Sequence, residues 1–159
     1  HKIYFSTLSL PQKFTAEGFF RLNSVSGGNA QLLSNLGSGA GTFVVRFTDT
    51  SNAIDLLVDG TLRKTGITVA ADQWFYVSVS YDYAGWYFHT GLVSSGIATL
   101  AGGSAFAQAA NAMDAGFYVG GVSSGGTLKG FFSQIRVTGG VAMNTNGAIV
   151  IPQAPFATA

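Results

Sequence analysis

Seven acidic residues, two histidines and no cysteine are what this 159-residue chain offers to acid–base, metal or nucleophilic chemistry. Glu17 is its single glutamate. Retaining glycoside hydrolysis needs two carboxyl groups about 5 Å apart, and no two carboxylates here stand at i and i+2 or i+4 on one strand face. That argues against a hydrolase. Arg21 lies four residues beyond Glu17 on the same strand face, so Glu17 is expected to pair with it. His89 and the many serines make a Ser-His-Asp site arithmetically possible, yet no Gly-x-Ser-x-Gly elbow is present and SSGIA and VSSGG are loop compositions. His89, beside Tyr87, is expected to be structural, and His1 terminal. Histidines so far apart do not make a zinc site, and without cysteine there is neither disulfide nor thiolate metal site.

Two clusters could hold a ligand. TDTSNAID, residues 48–55, gathers Asp49, Asn52 and Asp55 in a short turn. Calcium takes six to eight hard oxygen ligands, so these three side chains predict weak binding at most; the competing reading is an Asx-rich turn that caps its own backbone. Tyr81, Asp82, Tyr83 and Trp86 surround another turn. They supply an aromatic face for a pyranose and an oxygen for its hydroxyls, against the competing role of Trp86 as core packing.

Charged residues are only 9% of the chain and the formal charge is +1. This excludes the basic excess of a nucleic-acid binder. A surface with so little repulsion predicts a homo-oligomer or a lattice with other proteins, with residues 2–8 or the apolar residues 149–156 contributing contacts. Residues 90–113 and 137–159 carry no charge. Thr, Asn, Gln and Gly interrupt both, with serines in the first and two prolines in the second, so neither reads as a membrane helix. The strands also lack the consistent apolar outer face of a membrane barrel. No signal peptide precedes His1, and the absence of an initiator Met predicts a processed or trimmed product.

What must position these residues is a set of short strands. Apolar residues recur at period two between Gly, Ser and Asn clusters, which predicts an all-β antiparallel sandwich with almost no helix. Strands are expected at 2–8, 14–22, 30–35, 42–48, 74–82, 85–90 and 117–121. In residues 14–22, Phe14, Ala16, Gly18, Phe20 and Leu22 share one face and Thr15, Glu17, Phe19 and Arg21 the other. Asp59-Gly60 predicts a two-residue hairpin within residues 54–65, since both positions tolerate positive φ. Residues 101–114 suit a long loop or one helical turn. One domain over 1–143 is expected, with 144–159 a tail that packs on it or on a neighbouring subunit.

The stretch GTLKGFFSQIRVTGGVA at 126–142 resembles the closing strand of laminin-G-like, concanavalin A-like lectin and glucanase jelly rolls. It carries a Lys-Gly-aromatic turn at Lys129, Gly130 and Phe131 and an Arg-hydrophobic pair at Arg136 and Val137. WFYVSVSYD at 74–82 resembles the family's central strand, and FYVGG at 117–121 the strand before the closing one. The tail IPQAPFATA looks like those on such modules in tailed-bacteriophage virion proteins. The resemblance implies a jelly roll over residues 14–156. Its enzymes share a Glu-x-Asp-x-x-Glu strand that this chain lacks, and its two usual acidic positions in the closing strand are Ser133 and Gln134 here, which weakens the expectation of rim-bound calcium. The chain is therefore expected to be a non-enzymatic structural, decoration or adhesion module on a virion surface, touching host glycans, with no obligatory cofactor. The alternative is a secreted carbohydrate-binding lectin acting alone.

Overall fold

The computed structural model describes residues 3–5, 13–25, 28–35, 42–103, 105, 116–121 and 128–153. Among the described residues twelve strands form two six-stranded antiparallel sheets. They are β1 (Ile3–Phe5), β2 (Phe14–Leu22), β3 (Ala30–Ser34), β4 (Phe43–Thr48), β5 (Ala53–Val58), β6 (Thr61–Thr68), β7 (Trp74–Tyr81), β8 (Trp86–Leu92), β9 (Ile97–Leu100), β10 (Phe117–Val119), β11 (Gly130–Gly139) and β12 (Ala148–Val150). One sheet runs β1-β10-β3-β4-β5-β6 and the other β11-β2-β7-β8-β9-β12. Long-range antiparallel pairing of this kind is what period-two patterning demands.

The hairpin between β5 and β6 turns at Asp59 and Gly60, with φ of 52° and 72°. Both lie in the left-handed region that a type I′ turn needs. Of the first expected strand only Ile3–Phe5 is described as β1; residues 2 and 6–8 lie outside the described residues. Most of 101–114 does too, while Ala101–Gly103 makes a single 3-10 turn.

Inward-facing residues of the two sheets meet in one core. Phe14, Phe20, Phe43, Phe75, Trp86, Phe88 and Phe117 are buried there with the valines of β7. The Trp86 ring stands edge-on to Phe14 at 5.8 Å between centroids and lies 5.0 Å from Tyr81.

On the opposite face of β2, Thr15, Glu17 and Phe19 are buried as well. The reason is the chain after β11. It recrosses the outer face of the second sheet, pairs as β12 with the edge of β9, and buries Ile151 against Phe19, Tyr76 and Ala98. This strap over residues 141–151 makes β2 and β7 two-sided, so their second faces hold a polar layer instead of solvent.

Candidate functional site

Cross-strand register orders the outer face of the second sheet into rows. Phe131 lies opposite Arg21, and Arg21 opposite Trp74. The next row is Ser133, Phe19 and Tyr76; the next, Arg136, Glu17, Ser78 and His89; the last, Thr138, Thr15, Ser80 and Tyr87. The strap bonds into the last three rows and leaves the first in the open.

Beneath the strap the polar groups satisfy one another. Arg136 Nε and Nη2 donate to Glu17 Oε1 at 2.7 and 2.5 Å. Tyr76 donates its hydroxyl to Glu17 Oε2. Asn144 Nδ2 donates to Ser78 Oγ at 2.8 Å, and Met143 N to Thr15 Oγ1 at 2.8 Å. Burial, reinforced by the Glu17 carboxylate, raises the Tyr76 phenol so far that it stays protonated. Arg21 is therefore not the partner of Glu17. Residues i and i+4 on a strand are about 13 Å apart, whereas Arg136 stands directly opposite Glu17 on the neighbouring strand.

His89 is fully buried and its Nε2 lies 2.5 Å from the Asn146 carbonyl of the strap. Nε2–H donates there, so Nδ1 is the unprotonated nitrogen, and it has no hydrogen-bond partner. Desolvation pushes this imidazole below its ordinary value of 6.5. A glutamate at 1% exposure, held by an arginine and a tyrosine, is not presented to a substrate.

The open row is different. Trp74 and Phe131 are 36% and 50% exposed, and the Arg21 guanidinium lies between them, 5.7 Å from the Trp74 ring centroid and 4.7 Å from that of Phe131. Beside it a groove of about 180 Å³ is lined by Phe19, Trp74, Val93, Ser133 and Gln134. It adjoins a second, of about 460 Å³, where Gln73 and Ser94 supply polar atoms beside Trp74, Leu92 and Val93. A bulge between Ser133 and Arg136 widens the rim, with Gln134 at φ 50°. The extra residue drives Ile135 inward over Gly18, where a Cβ would meet its Cδ1 at 2.3 Å. Glycine at 18 thus permits the bulge that presents Ser133 and Gln134.

Sequence reasoning grouped Phe19 with Arg21 correctly but took Trp74 only as the start of a central strand. Parity could have found it: Phe75, Val77 and Val79 face the core, so Trp74 must face out. Of the residues named beforehand for a glycan, Trp86 and Tyr81 have their rings in the core. Even-numbered Trp86 shares the inward parity of Phe88, which competes with sugar stacking and wins. Asp82 Oδ1 accepts from Ala84 N and Gly85 N, closing its own turn. Tyr83 is 60% exposed at φ 66°, with Lys13 Nζ 5.1 Å from its ring centroid.

At the other cluster, Asp49 Oδ2 accepts from Gly28 N at 2.9 Å and Asp55 Oδ2 from the Thr48 hydroxyl at 2.6 Å. Asn52 turns the chain at φ 51°. The Asp55 carboxylate is buried, with Oδ1 unpartnered, while Asn52 is exposed. Two of the three side chains thus each accept from a separate neighbouring donor. Among the described residues no three His, Asp or Glu side chains gather around one point.

No protein-family model matches the sequence, and no curated protein does. Solved structures do match. Mouse laminin alpha1 chain, domains LG4-5, is similar with a TM-score of 0.61 at 12% identity over 92% of this chain and 42% of that one. Trypanosoma rangeli sialidase gives 0.63 at 14% identity over 83% of this chain and 21% of its own. Carbohydrate binding module CBM66 from Bacillus subtilis gives 0.53 at 11%, over 86% and 81%. The chain thus spans less than half of the laminin fragment and about a fifth of the sialidase. The architecture is the concanavalin A-like jelly roll, a fold that hosts binding modules and enzymes alike.

Proposed function

We propose that this chain is a non-enzymatic glycan-binding module, carried on the outer surface of a virion as a decoration or adhesion component of a tailed phage and assembled there as a homo-oligomer or against other virion proteins. The observation that carries the binding role is the exposed Phe131–Arg21–Trp74 row above a groove edged with Ser133, Gln134, Gln73 and Ser94. An aromatic platform with nearby amide and hydroxyl groups is the chemistry that holds a pyranose. Closure of Glu17 beneath the strap supports the absence of hydrolysis. This reading requires no calcium; at Asp49, Asn52 and Asp55 it would bind weakly at most, since Asp49 and Asp55 each already accept from a neighbouring donor. The virion assignment rests on the resemblance of the closing strand and tail, together with a surface poor in charge. A secreted lectin acting alone is the second reading, favoured by the exposed row itself, which needs no neighbour to complete it.

Tryptophan fluorescence and glycan-array binding test the module. Trp74→Ala should abolish binding without changing the β-sheet circular dichroism, because the ring is at the surface. Binding that survives Trp74→Ala and disappears in Tyr83→Ala would move the site to the Asp82 turn. Saturable cleavage of a β-glucan or galactan, lost in Glu17→Gln, would overturn the non-enzymatic reading.

A further inference from the structure

The open row contains more than a stacking surface. Arg21 lies over two aromatic rings, and its Nε is buried without a hydrogen-bond partner. It makes no ion pair with a described residue. Glu17, on the same strand face, belongs to Arg136 in the only ion pair among the described residues. Asp72, whose backbone N–H bonds the Leu22 carbonyl one residue beyond Arg21, forms none. The groove rim facing Arg21 is neutral, with Ser133 and Gln134 on one side and Gln73 and Ser94 beyond Trp74. Exposed Lys129 precedes the strand that carries Phe131. A guanidinium beside two rings keeps in-plane N–H groups that match a carboxylate in bidentate geometry. Ring contacts restrict its side chain in advance, so less side-chain entropy is lost when an anion arrives.

We infer that the groove takes an acidic glycan, with a pyranose face on Trp74 and the sugar carboxylate on the Arg21 guanidinium. This rests on the glycan-binding reading above and narrows it to one substrate class. The guanidinium supplies the charge, the indole supplies the apolar face, and the amide and hydroxyl groups of Gln134, Ser133 and Gln73 supply hydroxyl recognition along the chain. Tyr83 with Lys13 offers a cation near a ring as well.

The test uses the whole chain against an array of uronic-acid and nonulosonic-acid oligosaccharides, each printed beside its carboxyl-reduced counterpart. Ligands that bind should lose about tenfold or more in affinity on carboxyl reduction, the loss of one charge-assisted contact. Arg21→Gln should reproduce that loss for the acid, so that the variant no longer distinguishes the acid from its reduced counterpart. The Trp74 indole N–H resonance should shift on titration with the acid. Because reduction alters the ligand and leaves the protein intact, this arm holds even if Arg21→Gln disturbs the local fold. Equal binding of acid and reduced forms overturns the acidic preference and keeps the glycan-binding role. Acid-selective binding unaffected by Arg21→Gln, with Trp74 unmoved, overturns the site. No binding by any acidic or neutral oligosaccharide overturns both.

Discussion

Glu17 illustrates how a buried charge is tolerated. Its carboxylate is almost fully enclosed, and its stability depends on the two guanidinium contacts from Arg136 and the hydroxyl of Tyr76. Removing one partner of a buried pair leaves a charge in low dielectric, which costs about 3–5 kcal/mol. Arg136 is 28% exposed, so the lower end of that range applies. Arg136→Met should therefore lower the urea-unfolding free energy by about 3 kcal/mol. The double variant with Glu17→Gln should regain more than half, since the uncompensated charge is gone. His89 predicts a pH effect of definite sign. Its folded-state value lies below 6.5 because the ring is desolvated. Between the two values the unfolded chain binds the extra proton, so stability is full above about pH 6.5 and falls as the pH drops toward the lowered value. Thermal melts between about pH 7.5 and 5.5 should show this decline, above the usual carboxylate range. His89→Gln should flatten it. A wild-type stability that rises on acidification in this window would contradict the assignment of the neutral ring.

The strap is the element that converts an ordinary sandwich into this one. It docks through Asn144 on Ser78, Asn146 on His89, the β12 pairing and the fully buried Ile151. Ile151→Ala should cost about 2–4 kcal/mol, as for large-to-small changes in a packed site. Val150→Ala, one residue earlier and 78% exposed, should change stability by less than about 0.5 kcal/mol. Urea titration of the two variants separates them. Much of the rest was legible from period-two patterning. β2 has the bounds expected from the sequence, and the Asp59-Gly60 turn is where its chemistry requires it. What could not be read was register. Glu17 and Arg136 are separated by 119 positions, and only the pairing of β2 with β11 brings them together. The strap was equally hidden, because a charge-free segment carries no periodic signal long enough to mark a three-residue edge strand. Trp74 escaped for a related reason: an aromatic at a strand start reads as core unless the faces of its neighbours are fixed first.

At the scale of the whole molecule the question is what meets the exposed edges. A chain with 9% charged residues has few of the inward charges and lysines that ordinarily keep strand edges apart. β1 is an edge strand whose Ile3, Tyr4 and Phe5 are 42%, 50% and 45% exposed. β12 is an edge strand too, and its Val150 stands opposite Ile97, itself 51% exposed, on β9. Among the described residues neither edge strand has a second neighbour, and association through them would bury apolar side chains and pair backbone groups together. A stable interface buries about 1,200–2,000 Å² in total, more than one three-residue edge provides, so flanking surfaces must join in. Replacing both Ile97 and Val150 with Lys puts two like charges on the β12 edge while leaving Ile151 in place. Sedimentation of the wild-type chain should give a homo-oligomer, and the double variant should dissociate to monomer with a melting temperature within a few degrees of wild type. If the wild-type chain stays monomeric at high concentration and never co-sediments with particles, the virion reading falls and the lone secreted lectin takes its place. An unaltered oligomer in the double variant would instead assign assembly to β1, where Tyr4→Lys is the corresponding change.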